Sequence, residues 1–257
     1  MVTRTTRPRP ESTKLTLPLD TVAPRVSLGD IVAERLRDAI LNDDLTPGQH
    51  LREEEISERL QVSRGPVRDA FILLEGEGLV RLSRNRGASV VELSVVDLGE
   101  VYSLRSAVEE LAVRLATRRH TPEDLAALEN SMADLKMALR RKLTEQEAAR
   151  LDVEFHDALF KAAHHERLDV SWSSIRMQVY WFLRRRNIAS ADWRVNIVKG
   201  HQRIFDLIRA GEEAAATAEI RNHIRLSYSL IIDGLAEDGS SYGGESAKHV
   251  AEAFLLA

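Results

Sequence analysis

Residues 62–93 have the sequence VSRGPVRDAFILLEGEGLVRLSRNRGASVVEL, and this stretch decides the fold class of the N-terminal part of the chain. Apolar residues recur at helical spacing after Ser63, a residue type that can cap a helix, until two glycines end the pattern. Two short runs of β-forming residues follow at 79–82 and 88–93. The pattern therefore predicts a helix followed by a β-hairpin.

Two further helices precede this one. A capping box at Ser27 opens the first helix, which extends to about Leu41. After a Thr-Pro-Gly turn at 46–48, the second helix spans about 53–60. The order helix–helix–turn–helix–hairpin over residues 27–93 predicts a winged helix-turn-helix domain for DNA binding.

The net charge alone does not decide whether this protein binds nucleic acid, because the charges are unevenly distributed along the chain. The 257 residues carry a formal net charge of −4, which taken alone argues against a nucleic-acid partner. However, residues 1–26 hold five basic and two acidic groups among several prolines, so we expect a flexible basic arm there. Arg81, Arg84 and Arg86 lie on the hairpin without a nearby acid in the sequence. Phosphates respond to charge within a Debye length of roughly 8–10 Å, so such local patches can bind DNA.

Composition excludes several classes of protein. The chain has no cysteine, which excludes a disulfide scaffold, thiolate zinc fingers, iron–sulfur ligation and a cysteine nucleophile. No apolar run approaches the roughly 18 residues that a membrane helix requires, and residues 1–26 lack the apolar segment of a secretory signal. We therefore expect an intracellular protein without a membrane partner.

Two arginines begin the helix that follows Ser63. Arg64 and Arg68 are four residues apart and share one face, and the first turn of a recognition helix enters the major groove, where arginine binds guanine or phosphate. Arg84 and Arg86 at the hairpin tip can reach the flanking backbone or the minor groove. Two surface arginines are common on any helix, but the capped start and the basic hairpin together favour DNA binding.

After residue 97 the strand pattern disappears and amphipathic helices follow. We place six helices at about 97–118, 122–142, 145–164, 167–188, 191–210 and 212–235. The sequence therefore predicts an all-α bundle over 97–235. Residues 236–257 are rich in glycine and serine near their start, and we expect a loose tail there. The fold class is thus mostly α, with an N-terminal winged helix-turn-helix and a C-terminal helical bundle.

Four polar residues lie on apolar stripes of the predicted bundle. Asp152 and His156 are four residues apart on one helix, whereas His201 and His223 each interrupt the apolar stripe of a later helix. One such histidine is usually a hydrogen-bonded core residue, but four convergent groups each need a buried partner. A shared divalent metal satisfies all of them, and three imidazoles with one carboxylate suit Zn²⁺, Ni²⁺, Mn²⁺ or Fe²⁺, with Zn²⁺ favoured.

An arginine also interrupts the apolar stripe of the first bundle helix. Burying Arg105 without a partner would be costly. Either an internal carboxylate such as Glu109 or Glu154 pairs with it, or it binds the carboxylate of a ligand in a bidentate manner. Arg194 lies seven residues before His201 on the same face and is a second candidate of this kind.

The segment LRDAILNDDLTPGQHLREEEISERLQVSRGPVRDAFILLEGEGLVRLSRNRGASV resembles the DNA-binding domain of the GntR family of bacterial transcription regulators. The resemblance implies a homodimer that binds a short palindromic operator in double-stranded DNA. It assigns DNA contacts to Ser63, Arg64, Gly65, Pro66, Arg68 and Gly87. The chain departs from the family at Gly65, where threonine is frequent, at Asp69, where glutamate is frequent, and at Glu54, where some members have a basic residue.

Three segments of the bundle resemble the FCD ligand-binding domain of the FadR branch of this family. They are VYSLRSAVEELAVRLA (101–116), LDVEFHDALFKAA (151–163) and GHQRIFDLIRAGEEAAATAEIRNHI (200–224). Metal-binding FCD domains use an Asp-x-x-x-His pair and two later histidines, which correspond to Asp152, His156, His201 and His223. The resemblance implies small organic acids as effectors, and six bundle helices indicate the shorter, VanR-like subgroup.

These inferences predict a cytoplasmic bacterial transcription regulator, located at the nucleoid when bound to DNA. We expect a repressor rather than an enzyme, with an organic acid joining the metal and Arg105 and displacing the helix at 97–118, which follows the linker 92–97 directly. A metal-dependent hydrolase or oxygenase that uses the His₃Asp site is the alternative, and a structural bundle with an incidental metal is a third. The sequence contains no HExxH motif, and Glu154 is the only nearby candidate base.

Overall fold

The structure is a computed structural model that describes most of the chain. It describes residues 27–83, 87–184 and 191–237, with the backbone alone at 191–195 and 235–237. Three predicted features therefore lie outside the described residues: the basic arm at 1–26, the hairpin arginines Arg84 and Arg86, and nearly all of the tail at 236–257.

The N-terminal part is a winged helix-turn-helix, as predicted. Its elements are α1 (Leu28–Leu41), β1 (His50–Leu51), α2 (Glu53–Leu60), α3 (Arg64–Gly76), β2 (Val80–Ser83) and β3 (Gly87–Val90). The three strands form an antiparallel sheet with β3 in the centre. Strand β1 was not predicted, because two residues are too few to show an alternating pattern.

The capping predictions differ in outcome. The box at Ser27 is present, since Asp30 donates its backbone N–H to Ser27 Oγ at 3.0 Å and accepts the Ser27 N–H at 2.8 Å. Ser63 occupies the N-cap position of α3 with extended backbone, but its side chain makes no capping hydrogen bond. The expected capping bond at Ser63 was therefore wrong, whereas the expected start of α3 was right.

One apolar face anchors α3 in the winged domain. Val67, Phe71 and Leu74 are buried, and α3 packs against α1. Burying one such side chain fully stabilises the fold by about 1.5–3 kcal/mol relative to leaving it exposed. The same packing turns Arg64 and Arg68 towards solvent, where both are exposed.

The C-terminal part is an all-α bundle, again as predicted. Its helices are α4 (Val95–Arg119), α5 (Pro122–Ala138), α6 (Glu145–Ala162), α7 (Glu166–Leu183), α8 (Ala191–Ala210) and α9 (Glu213–Glu237). Helix α4 is central, because it contacts α6, α7, α8 and α9. Within the described part of the chain, no helix is both long and apolar enough to cross a bilayer.

The predicted end of α5 was four residues too late. The helix ends at Ala138, and turn-type backbone bonds follow at Arg140 and Arg141. Arg141 then forms an ion pair with Glu147 in the first turn of α6. This pair joins the turn after α5 to the start of α6.

Helix α7 connects the bundle to the winged domain. Trp181 lines a narrow apolar cleft with residues of the winged domain, including Ile40 and Leu79. At the same end, the Arg184 guanidinium donates to Asp43 Oδ2 at 3.0 Å. The two parts of the chain therefore share a contact surface in addition to their covalent connection.

Candidate metal centre and nucleic-acid interface

Four ligand-type side chains converge inside the bundle. Asp152 and His156 lie one turn apart on α6, His201 lies on α8, and His223 lies on α9. Each contributes one nitrogen or oxygen atom, and these atoms all lie within 4.8 Å of one another. All four residues are buried. The structure thus brings together the four positions that the sequence singled out.

The donor atoms lie close to one another. His156 Nε2 lies 3.4 Å from His201 Nε2 and 3.4 Å from Asp152 Oδ1. The ring of His223 lies 4.5 Å from the ring of His201, centroid to centroid. His223 Nε2 is buried, and no group in the described residues forms a hydrogen bond with it. A buried imidazole nitrogen of this kind is costly unless a further group, such as a metal, satisfies it.

The electrostatics of the cluster favour neutral imidazole at His223. Burial lowers its pKa well below the ordinary value, and the neighbouring His201 and His156 lower it further. A neutral ring keeps the nitrogen lone pair that a metal requires. Three nitrogens and one oxygen form a donor set that suits zinc and other first-row divalent ions.

Arg105 of α4 lies against this cluster and is completely buried. Its Nε donates to Glu109 Oε1 at 2.6 Å, and its NH2 group lies 2.8 Å from His156 Nε2. Of the alternatives that the sequence left open, pairing with Glu109 is present, whereas Glu154 pairs with Arg150 at the surface. The side chain of Arg194, the second candidate, is outside the described residues.

Glu109 has a second role that the sequence did not indicate. Its Oε2 lies 2.6 Å from His156 Nδ1, so one carboxylate contacts both the arginine and a ligand-type histidine. Burial raises the pKa of Glu109, but attraction to Arg105 and His156 outweighs this effect and lowers it to about 2. A carboxylate on the outer nitrogen of a metal-ligating histidine orients the ring and selects its tautomer.

Gly200, next to His201 on α8, was also missed. A Cβ atom added at this position would lie 2.8 Å from His223 Nδ1, which is closer than real Cβ contacts. The absence of a side chain therefore lets the His223 ring approach α8. No sequence signal distinguishes this glycine from others, because the close approach depends on how α8 packs against α9.

The predicted DNA-binding arginines of α3 lie in an open cleft of the winged domain. Arg64 and Arg68 line this cleft of about 830 Å³ together with residues of β1, α2 and β3. Each arginine is paired with a carboxylate of α2: Arg64 NH2 donates to Glu54 Oε1 at 2.5 Å, and Arg68 Nε donates to Glu53 Oε2 at 2.7 Å. Sequence analysis did not anticipate either pair.

Gly87 lines the same cleft and has a structural reason to be glycine. Its φ of +84° lies in the left-handed region, and an added Cβ would meet the carbonyl oxygen of Leu51 at 2.2 Å. The close approach of β3 to β1 therefore requires this residue. By contrast, a side chain at Gly65, in the first turn of α3, would meet only Ser63 Oγ at 4.0 Å.

Comparison with known proteins agrees with this architecture. The family of bacterial regulatory proteins called gntR matches residues 28–90, and the FCD domain family matches residues 100–226. The chain belongs to the GntR family. This GntR protein therefore combines a GntR winged helix-turn-helix with an FCD domain, which confirms the resemblance inferred from sequence.

Individual relatives of this GntR protein are transcription regulators. The uncharacterized HTH-type transcriptional regulator YdhC of Bacillus subtilis (strain 168) is 28% identical over 189 residues, covering 74% of this chain and 84% of YdhC. The HTH-type transcriptional repressor RspR of Escherichia coli (strain K12) is 32% identical over 140 residues, covering 54% of this chain and 60% of RspR. E. coli McbR/YncC has the same fold, with a TM-score of 0.65 and 21% identity over 81% of this chain and 99% of that chain. This GntR protein is accordingly a DNA-binding transcription regulator.

Proposed function

We propose that this regulator is a homodimeric repressor whose affinity for a palindromic operator is controlled by a small carboxylate bound at the His₃Asp centre. The observation that carries the proposal is a buried metal-type cluster with the Arg105 guanidinium against it. A cation centre beside a buried arginine attracts an anion of small size. Its place of action is the bacterial cytoplasm, at the nucleoid when DNA is bound.

The winged domain supplies the DNA contacts in this proposal. The exposed first turn of α3 enters the major groove, with Arg64 and Arg68 as the side chains that bind guanine or phosphate. The backbone around α3 and the hairpin complete the contact surface. The proposed DNA-binding residues are Ser63, Arg64, Gly65, Pro66, Arg68, Arg84, Arg86 and Gly87.

The cluster on α6, α8 and α9 holds the metal in this proposal. Asp152, His156, His201 and His223 are its ligands, with zinc favoured over nickel, manganese or iron. When bound, the metal supplies a Lewis acid that can coordinate a carboxylate oxygen. Glu109 keeps the His156 ring oriented through Nδ1, so that Nε2 faces the other three ligands.

Arg105 is the residue proposed to hold the effector carboxylate. Glu109 fixes its guanidinium at Nε, and the Tyr102 hydroxyl accepts from NH1 at 3.2 Å. The third nitrogen, NH2, lies 2.8 Å from His156 Nε2. A metal bound at Nε2 would free this fixed NH2 group to bind a carboxylate. Arg194 is a second proposed effector contact, on the helix that carries His201.

Two helices connect this site to the winged domain. Helix α4 carries Arg105 and begins at Val95, five residues after β3 ends at Val90. Helix α7 carries Trp172, whose ring lies 6.2 Å from the ring of His156, and it also carries Trp181 at the winged domain. A ligand that binds one arrangement of these helices better than another shifts the population of winged-domain positions and changes operator affinity.

The enzyme alternative has less support from the geometry. A metallohydrolase needs a general base beside the metal. Glu154 faces solvent and pairs with Arg150, and Glu109 is held by Arg105 and His156 with its pKa lowered to about 2. Neither carboxylate is suited to accept a proton from metal-bound water near neutral pH.

Metal content tests the centre directly. Elemental analysis of the full chain, purified without chelator, should find about one divalent ion per chain. His201→Ala and His223→Ala should lose it, whereas His164→Ala, which removes an exposed histidine paired with Asp124, should retain it. Full metal content in both ligand variants would exclude the four-ligand site.

Operator binding tests the regulation. With the metal-loaded protein, a panel of small mono-, di- and hydroxycarboxylates should contain a compound that weakens operator binding at least tenfold, and a chelator should remove the response. The metal-loaded protein should not convert any compound of this panel, nor any of a set of esters and lactones added to it. Appreciable turnover would instead support the hydrolase or oxygenase.

A further inference from the structure

We propose that Glu53 and Glu54 of α2 are positioning residues for DNA base selection, because they hold the recognition arginines Arg68 and Arg64 in fixed directions. The inference depends on the proposed function, in which these arginines contact the operator. It goes beyond that function by assigning sequence discrimination to two acidic side chains on a surface that binds a polyanion.

The contacts place each carboxylate beside one guanidinium. Glu54 accepts from Arg64 NH2 at 2.5 Å, and Glu53 accepts from Arg68 Nε at 2.7 Å. The partners are separated by 10 and 15 residues in the chain, so the packing of α2 against α3 creates both pairs. Each bond uses one N–H group of the guanidinium and leaves its other N–H groups for a base.

Stability does not explain these pairs. The side chains of Arg64, Arg68 and Glu54 are 55%, 62% and 67% exposed, and that of Glu53 is 24% exposed. Ion pairs as exposed as these contribute little to folding, because water screens the charges and ordering the side chains costs entropy.

The carboxylates also oppose binding to phosphate. Glu53 and Glu54, in the first turn of α2, place two negative charges on the cleft that the arginines line. Phosphate contacts tolerate many guanidinium directions, whereas bidentate contact with guanine O6 and N7 requires one. Holding the arginines while repelling phosphate therefore weakens nonspecific binding and strengthens discrimination at guanine.

Three single substitutions distinguish this role from a simple charge effect. Glu54→Gln and Glu53→Gln each remove one negative charge and the carboxylate that holds an arginine. Glu55→Gln is the matched control, since it removes the same charge from the same helical turn, but Glu55 lines a different cleft, with Arg59. All variants should retain the helix content and unfolding midpoint of the unmodified chain, because the pairs are exposed.

The measurement compares specific with nonspecific DNA. Full-length variants are titrated with the preferred operator, selected from random duplexes, and with a scrambled duplex at several salt concentrations. Glu54→Gln and Glu53→Gln should lower the ratio of specific to nonspecific affinity about two- to fivefold and relax the preference for guanine. Glu55→Gln should strengthen binding to both duplexes equally and leave the ratio unchanged.

Two results separate failure of this inference from failure of the proposed function. If Arg64→Ala and Arg68→Ala reduce operator binding but all three glutamate variants behave alike, the positioning role is wrong and the DNA surface stands. If both arginine variants bind the operator as the unmodified chain does, the proposed DNA surface is itself wrong.

Discussion

Glu109 Oε2 lies 2.6 Å from His156 Nδ1, and the other oxygen of the same carboxylate accepts from Arg105 Nε at 2.6 Å. One buried side chain thus orients both a ligand-type histidine and the proposed effector-binding arginine. All three residues are fully buried, so the local dielectric is low and removal of the carboxylate charge leaves a buried cation poorly compensated. This relationship makes Glu109 a sensitive position for testing the site.

Glu109→Gln should destabilise the metal-free protein by about 3 kcal/mol or more, because the Arg105 charge loses its buried partner. It should also weaken metal binding about 10–100-fold, because His156 loses its orienting carboxylate. Urea unfolding with chelator and a metal titration measure the two effects. Glu110→Gln is the control: Glu110 is partly exposed in its pair with Arg221, so its loss should cost clearly less than the loss of the fully buried Glu109. An equal loss of unfolding free energy in the two variants would contradict the role assigned to Glu109.

Gly200→Ala should weaken metal binding without altering any ligand. The added methyl group would lie 2.8 Å from His223 Nδ1 and displace the ring. Since alanine is the better helix former, the variant should not lose helix content. Competition titration against a chromogenic chelator measures the affinity. Gly76→Ala, at the end of α3, provides the control because nothing lies within 4 Å of its added Cβ. Unchanged affinity in Gly200→Ala would show that the His223 ring accommodates the methyl group.

Arg105→Lys should reduce the effector response at least tenfold while metal content stays near that of the unmodified chain. Lysine keeps the buried positive charge beside Glu109 but lacks the planar fork that binds a carboxylate in a bidentate manner. The measurement is operator affinity as a function of effector concentration. Arg221→Lys, on the surface of α9, is the matched control and should respond normally. A normal response of Arg105→Lys would remove this residue from the effector site.

Arg184→Gln and Asp43→Asn should each weaken the coupling between effector and operator several-fold. The ion pair joins the end of α7 to the winged domain, and residues along a coupled contact typically modulate coupling by about 0.5–2 kcal/mol. Metal content should stay unchanged. Arg118→Gln breaks an exposed pair with Glu213 within the bundle and serves as the control. If Arg184→Gln and Asp43→Asn both kept the full effector response, coupling through this ion pair would be excluded.

Asp124→Asn should make the free energy of unfolding depend less on pH in the acid range. Burial raises the pKa of Asp124, but bonds from Thr121 and His164 outweigh this and lower it below its usual 3.8. The stabilisation that ionised Asp124 contributes is therefore present above its usual pKa of 3.8. It is lost as the pH falls through the lower pKa that Asp124 has in the folded protein. Urea unfolding between pH 6 and about 3 measures the slope. Asp134→Asn changes an exposed residue of the same helix and should leave the slope unchanged.

Local pattern predicted the elements of this protein well. Helical spacing located α3 and the six bundle helices, and it identified which residues face inward, including Arg105 and His156. Pattern was less successful where an element depends on a distant partner. Strand β1 exists because β3, which is distant in the sequence, pairs with it.

The sequence by itself determined the fold class, the two solvent-facing arginines of α3 and the four convergent ligand-type residues. These features follow from periodicity, which fixes the face of a helix on which each side chain lies. Only the tertiary structure decided which groups meet: Glu109 with His156, Gly200 with His223, and the α2 glutamates with Arg64 and Arg68. The reason is physical, because periodicity assigns faces, whereas rotation and offset between packed helices determine which atoms on those faces come within bonding distance.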